Sequence, residues 1–154
     1  MGYRAFFHPL DAIDGWNRAY DPRGFLQYQF VVPEEAGTSA ITGVLSVLRR
    51  NGIPVYLAVL KRFGSIASNG WMSFPMPGWT LALDIPLQSK NEIAVLSTEC
   101  DSIVASHGGR LYPAKDASML PATFQRMFPR WQDVQAVKDP AVTSVFWQRV
   151  TQQS

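Results

Sequence analysis

Apolar and polar residues alternate strictly over Phe25–Val32. Leu26, Tyr28, Phe30 and Val32 fall on one side, and Phe25, Gln27, Gln29 and Val31 on the other. This period of two predicts a strand with one face turned to a core. Pro33-Glu34-Glu35 then opens a helix, with proline in the first turn and acids at the positive end of the dipole. Ile41, Val44, Leu45 and Leu48 recur at helical spacing and predict one buried stripe. Arg49 and Arg50 suit the C-terminal end of that helix, and Asn51-Gly52 stops it. Residues 54–63 read as a second strand, 64–79 as a loop rich in glycine, proline and aromatics, and 80–85 as a third strand ended by Pro86. Residues 91–107 read as a second helix with Ile93, Leu96, Cys100, Ile103 and Val104 on one side. Gly108-Gly109 caps it, and 110–112 form a fourth short strand.

The order strand, helix, strand, strand, helix, strand predicts an α+β fold: a ferredoxin-like βαββαβ antiparallel sheet with both helices on one face. Leu81, Leu83 and Ile85 alternate like the first strand and should join the same core. The opposite face then carries Gln27, Gln29, Thr80 and Ala82 beneath an aromatic loop, an arrangement suited to a substrate floor. The loop segment 71–79 reads equally as a lid over that floor or as a packing surface for another domain. Residues 1–23 read as irregular, with one helical turn over 11–17. After Asp116 come short helices over 118–128 and 131–137 and a last segment over 141–150, a helical tail that has no place in a ferredoxin-like unit and is expected to pack elsewhere.

Composition narrows the function classes. The chain has 154 residues, 47% hydrophobic and 17% charged, which predicts a packed core and not disorder. A net charge of +2 without a basic run argues against duplex nucleic acid as a partner. No apolar run reaches the roughly 18 residues of a membrane span, so no transmembrane segment is expected. The first residues lack the apolar core of a secretory signal. One cysteine rules out an internal disulfide and a multi-cysteine metal site, and fits a cytoplasmic setting. Cys100 sits on an apolar stripe and reads as a small core residue. Two histidines, His8 and His107, leave little for a zinc site and read as loop and helix-end residues, so no metal is expected. Five tryptophans and 12% aromatics supply apolar surface for a ligand, a partner or a further domain.

Four motifs, in order, carry a resemblance. They are Phe25-Leu26-Gln27-Tyr28-Gln29-Phe30-Val31-Val32-Pro33, Leu60-Lys61-Arg62-Phe63-Gly64, Ser73-Phe74-Pro75-Met76-Pro77-Gly78-Trp79, and Gly108-Gly109-Arg110-Leu111-Tyr112-Pro113-Ala114-Lys115-Asp116. Thr123-Phe124-Gln125-Arg126-Met127-Phe128-Pro129-Arg130 continues the match. Together they resemble the decaprenylphosphoryl-ribose oxidase branch of the FAD-linked oxidoreductases of the vanillyl-alcohol oxidase type. The resemblance runs through nearly the whole chain.

That resemblance implies an enzyme that oxidises a sugar or polyol hydroxyl by hydride transfer to the flavin N5. It implies that residues 1–109 are the later part of a substrate (cap) domain, and that 110–154 return to the flavin domain. FAD would be held mainly by an N-terminal flavin-binding half outside this chain, which is then a required partner. Lys115 matches a catalytic lysine beside flavin and substrate, and Tyr112 a tyrosine near the flavin. Gln27, Gln29, Lys61, Thr80 and Ala82 match substrate-binding positions. Each glutamine amide both donates and accepts, which suits a sugar's hydroxyls. Strict alternation places Lys61 with Val55, Leu57 and Val59, leaving its direction open without a bulge. Thr80 and Ala82 stand where the family carries asparagine and cysteine, and Ala58 replaces another asparagine. These changes point as readily to a related sugar, alditol or lactone as to a polyprenyl-phosphate sugar, whose lipid would bring the protein to a membrane. A stand-alone ferredoxin-like ligand-binding module without redox activity is the alternative.

Overall fold

The computed structural model describes residues 2, 3, 12–15, 18, 24–66, 68–87, 91–116 and 118–151. His8 and the ends of the turn expected over 11–17 lie outside the described residues. β1 (Phe25–Val32) follows its sequence: Leu26, Tyr28, Phe30 and Val32 are buried, while Gln27 and Gln29 are half-buried. A 3-10 turn, Glu34–Ala36, leads from Pro33 into α1 (Gly37–Arg50). The buried stripe of α1 runs through Ala40, Val44, Val47 and Leu48. Leu45, expected within it, is exposed, because at 100° per residue it falls beside the line that Ala40, Val44 and Val47 define. β2 (Leu57–Phe63) begins after residue 54, where proline has no N–H for the ladder. β3 (Gly78–Pro86) runs slightly beyond both expected ends.

α2 spans 91–106 and is not uniform. Asn91–Val95 is α-helical, Leu96–Cys100 is π-helical, and Asp101–Ser106 is α-helical again. Leu96, Cys100 and Val104 are buried as their spacing predicts, with Ile93 and Ile103 half-buried beside them. The wider π turn shifts the phase of the last helical stretch and brings Asp101 inward. Gly108, at φ 71°, and the Gly109 N–H donating to Val104 O at 2.9 Å close the helix as a glycine cap. β4 (Arg110–Leu111) comes next.

The sheet order is β2-β3-β1-β4, with every neighbouring pair antiparallel. This is the strand order of the ferredoxin-like pattern. Leu81, Leu83 and Ile85 pair with Phe30, Tyr28 and Leu26, and all six join the buried residues of α1 and α2 in one core.

The tail forms α3 (Pro121–Met127), α4 (Trp131–Val137) and α5 (Val145–Val150). Its expected separation from the ferredoxin-like core is not what the structure has. Met119, Phe124, Met127, Phe128 and Val150 are buried in that same core. The reason is local: Phe124 and Met127 lie three apart on one side of α3, and the Phe124 ring meets Phe128, Phe146 and Trp147. Among the described residues no helix is long and apolar enough to cross a membrane.

Candidate functional site

Directly opposed residues of antiparallel strands share a face, so the register maps the side of the sheet away from the helices. One row holds Leu57, Asp84 and Gln27, and the next Val59, Ala82 and Gln29. A third holds Lys61, Thr80, Val31 and Arg110. Lys61 thus needs no bulge to reach the floor: it shares that face with Leu57 and Val59, and it is exposed. Ala58 pairs with Leu83 and belongs to the other face.

The floor is polar where the two glutamines lie. Gln27 Nε2 donates to Asp84 Oδ1 at 2.9 Å, and Gln29 Nε2 donates to Thr80 Oγ1 at 3.1 Å. Each amide is held through its nitrogen, which turns its carbonyl oxygen and second N–H toward further partners. Thr80 is fully buried, so in this arrangement it orients Gln29 and does not line open space. Ala82 is half-buried between Val59 and Gln29. Asp84, only 6% exposed, is a floor residue that sequence reasoning missed. The alternation of Thr80, Ala82 and Asp84 was the signal for it.

β4 stops early, and this places the lysine. The Tyr112 N–H donates to Gln29 O at 2.8 Å, extending the middle row, and Pro113–Lys115 then turn as a 3-10 helix. The turn brings Lys115 and Tyr112 beside Gln27 and Gln29 around a crevice of about 10 Å³, room for roughly one water. Lys115 is half-buried, and among the described residues its ammonium has no hydrogen bond or ion pair. Its neighbour Asp116 is engaged elsewhere. Asp116 Oδ1 accepts from the N–H groups of Ser118 (3.1 Å) and Met119 (2.8 Å), and Oδ2 accepts from Arg149 Nη2. A lysine without a carboxylate partner among the described residues therefore lines the same crevice as two residues with sugar-compatible amides.

Below the floor, Tyr28 Oη donates to Asp101 Oδ1 at 2.8 Å. Burial lifts the Asp101 carboxyl to about 7; the Tyr28 bond works against this lift and nearby Asp116 adds to it. Burial, with Asp101 and Asp116 nearby, also holds the Tyr28 phenol well above its ordinary range. Burial pushes the Cys100 thiol up to about 12, so it stays protonated and apolar. His107 Nδ1 lies 2.8 Å from Ile103 O, the helix-end position its sequence context implies.

No protein-family model matches the chain. Over 138 residues it is 42% identical to decaprenylphosphoryl-beta-D-ribose oxidase of Mycolicibacterium smegmatis, covering 88% of this chain and 29% of that protein. The chain is a relative of the C-terminal part of that oxidase. L-gulono-1,4-lactone dehydrogenase of Mycobacterium tuberculosis, 23% identical over 115 residues, agrees at greater distance, with 75% of this chain and 27% of the dehydrogenase covered. An uncharacterized protein of Streptomyces coelicolor is 41% identical over 91 residues, with 57% of this chain and 24% of that protein covered. The chain thus spans under a third of the length of the curated relatives it matches, and the two relatives with named activities are oxidoreductases. The ribose oxidase matches across the glutamine strand and the lysine turn alike, since the alignment takes in most of the chain.

Proposed function

We propose that this chain supplies the substrate floor and the active-site lysine of an FAD-dependent oxidoreductase acting on a sugar or polyol hydroxyl. The single observation that carries the reading is that Lys115, without a hydrogen bond or ion pair among the described residues, lines one crevice with Gln27, Gln29 and Tyr112. Those groups fit the cofactor chemically. An ammonium with no carboxylate of its own suits a ring that gains negative charge on reduction, and Tyr112 offers an aromatic surface beside it. Bound FAD supplies the acceptor for hydride; the residues of this chain supply orientation and charge.

Gln27 and Gln29 bind the hydroxyls that are not oxidised, each through a carbonyl oxygen and an N–H left over from its bond to Asp84 or Thr80. Lys115 donates a hydrogen bond to the oxygen of the reacting carbinol, which orients it and favours electron density gathering there. Lys61, exposed at the outer strand, lines the same face. On this reading the flavin sits on polypeptide outside this chain, residues 1–109 serve the substrate side and 110–154 the flavin side. Decaprenylphosphoryl ribose is the substrate named for the ribose oxidase. The Thr80 and Ala82 positions point as readily to a related sugar, alditol or lactone here.

The test combines the chain with a flavin-binding counterpart and follows visible flavin absorbance. Sugar should bleach the flavin. Lys115→Ala should retain flavin and lose bleaching rate by roughly 100-fold or more, the usual effect of removing a charge-stabilising group. Undiminished bleaching removes Lys115 from the mechanism.

A further inference from the structure

We propose that Phe74 is a specificity-determining residue that closes one end of the polar floor and sets the length of polyol or sugar the floor accepts. The inference rests on the reading above, in which Gln27, Gln29 and Lys115 hold the substrate. It begins from an anomaly of burial. Val31 and Thr80 lie on the central strands, on the face away from the helices, yet both are fully buried. Something on that face covers them. Phe74, in the loop between β2 and β3, is 5% exposed. Its ring meets Phe63 edge-on at 5.9 Å and stacks on Tyr112 at 4.7 Å. Phe63 belongs to the outer strand β2, and Tyr112 follows β4 at the other side of the sheet. A ring lying between those two is the cover for Thr80 and Val31 on this reading.

The loop is fastened where the ring leaves it. Arg110 Nη1 donates to Ser73 O at 2.8 Å, the carbonyl immediately before Phe74. Arg110 is on β4, and its guanidinium lies over the Phe128 ring at 5.9 Å. Upstream, Arg130 stacks over Trp71 at 4.9 Å. The next row, Val59, Ala82 and Gln29, is less covered, with Ala82 and Gln29 half-buried. A ligand seated on Gln27 and Gln29 beside Lys115 therefore extends along the floor only as far as the Phe74 ring. The row beyond holds the fully buried Thr80 and, opposite it, the exposed Lys61. Both are partners for one more hydroxyl on a longer chain, and Phe74 withholds the first of them.

The experiment titrates the 154-residue chain, labelled with nitrogen-15, with tetritol, pentitol and hexitol. The side-chain amide signals of Gln27 and Gln29 are the readout. The wild-type chain should prefer the shorter alditols. Phe74→Ala should raise the hexitol-to-tetritol affinity ratio by roughly tenfold, the scale of discrimination by one added group in a fitted pocket. Phe74→Leu, which keeps an apolar plug, should give an intermediate ratio and carries the test if the alanine variant does not fold. An unchanged ratio with both glutamines still responding overturns the role of Phe74 alone. If no alditol moves either glutamine in the wild-type chain, the substrate reading falls and this inference with it.

Discussion

Asp101 bonds Tyr28 through Oδ1, while its Oδ2 is buried with no hydrogen-bond partner among the described residues. Burial raises its carboxyl from 3.8 to about 7. The folded protein then keeps a proton that the unfolded chain has already released. Stability should fall as pH rises from about 4 to about 7, by a few kcal/mol in all, and level off above that. Asp101→Asn keeps an acceptor for Tyr28 and removes the charge. Its denaturation midpoint should vary much less over that range and exceed the wild-type value above about pH 7. Parallel pH profiles would show that Asp101 is ionised in the fold throughout. Gln27 and Gln29 were legible from alternation alone, because a strand's period of two is simple and the register kept it. Asp101 was not, because a regular helix puts it on the flank of α2, and only the π turn rotates it inward. Phe74 was hidden for another reason: a loop ring finds its contacts through tertiary structure, and no period marks them.

At the scale of elements, α5 is tied to the turn that carries Lys115. Ser144 accepts from the Trp147 N–H at the start of α5, and Arg149 near its end pairs with Asp116. The Asp116 side chain is only 6% exposed. Replacing Arg149 by alanine leaves that carboxylate buried without its cation and should cost about 3 kcal/mol, read as a drop in urea midpoint. A loss below about 0.5 kcal/mol would mark the pair as a surface contact of no weight. The sequence announced two tail helices and a last segment but not this tie, since arginine and aspartate 33 residues apart carry no spacing signal. The tail's burial in the main core was missed likewise. Periodicity says which side of a helix is apolar and does not say which surface receives it. The sheet was more legible: turn residues bounded its strands, and with two helices at the right intervals few topologies remain.

For the whole molecule, the two sides of the sheet differ in kind. One is filled by α1, α2 and the tail; the other carries the glutamines, Lys61 and the Phe74 ring. β2 is an outer strand with Leu60 53% exposed, and Lys61 and Arg62 give that edge charge, which discourages pairing with stray strands. If a flavin-bearing counterpart seats on the floor, hydrogen exchange should slow in the turn Pro113–Lys115 and in the loop around Phe74. Amides of α1 should be unaffected. Protection spread over α1, or absent from both floor segments, would place the contact elsewhere. β1 lies at the centre of all this, since alternate residues of one strand serve opposite sides of the sheet. Its composition has latitude, but its length has almost none. Insertion or loss of one codon near its middle would carry Gln27 or Gln29 inward and turn Tyr28 or Phe30 outward, damaging packing and chemistry in a single event. Natural variation in this gene should therefore leave the reading length between Leu26 and Val32 untouched.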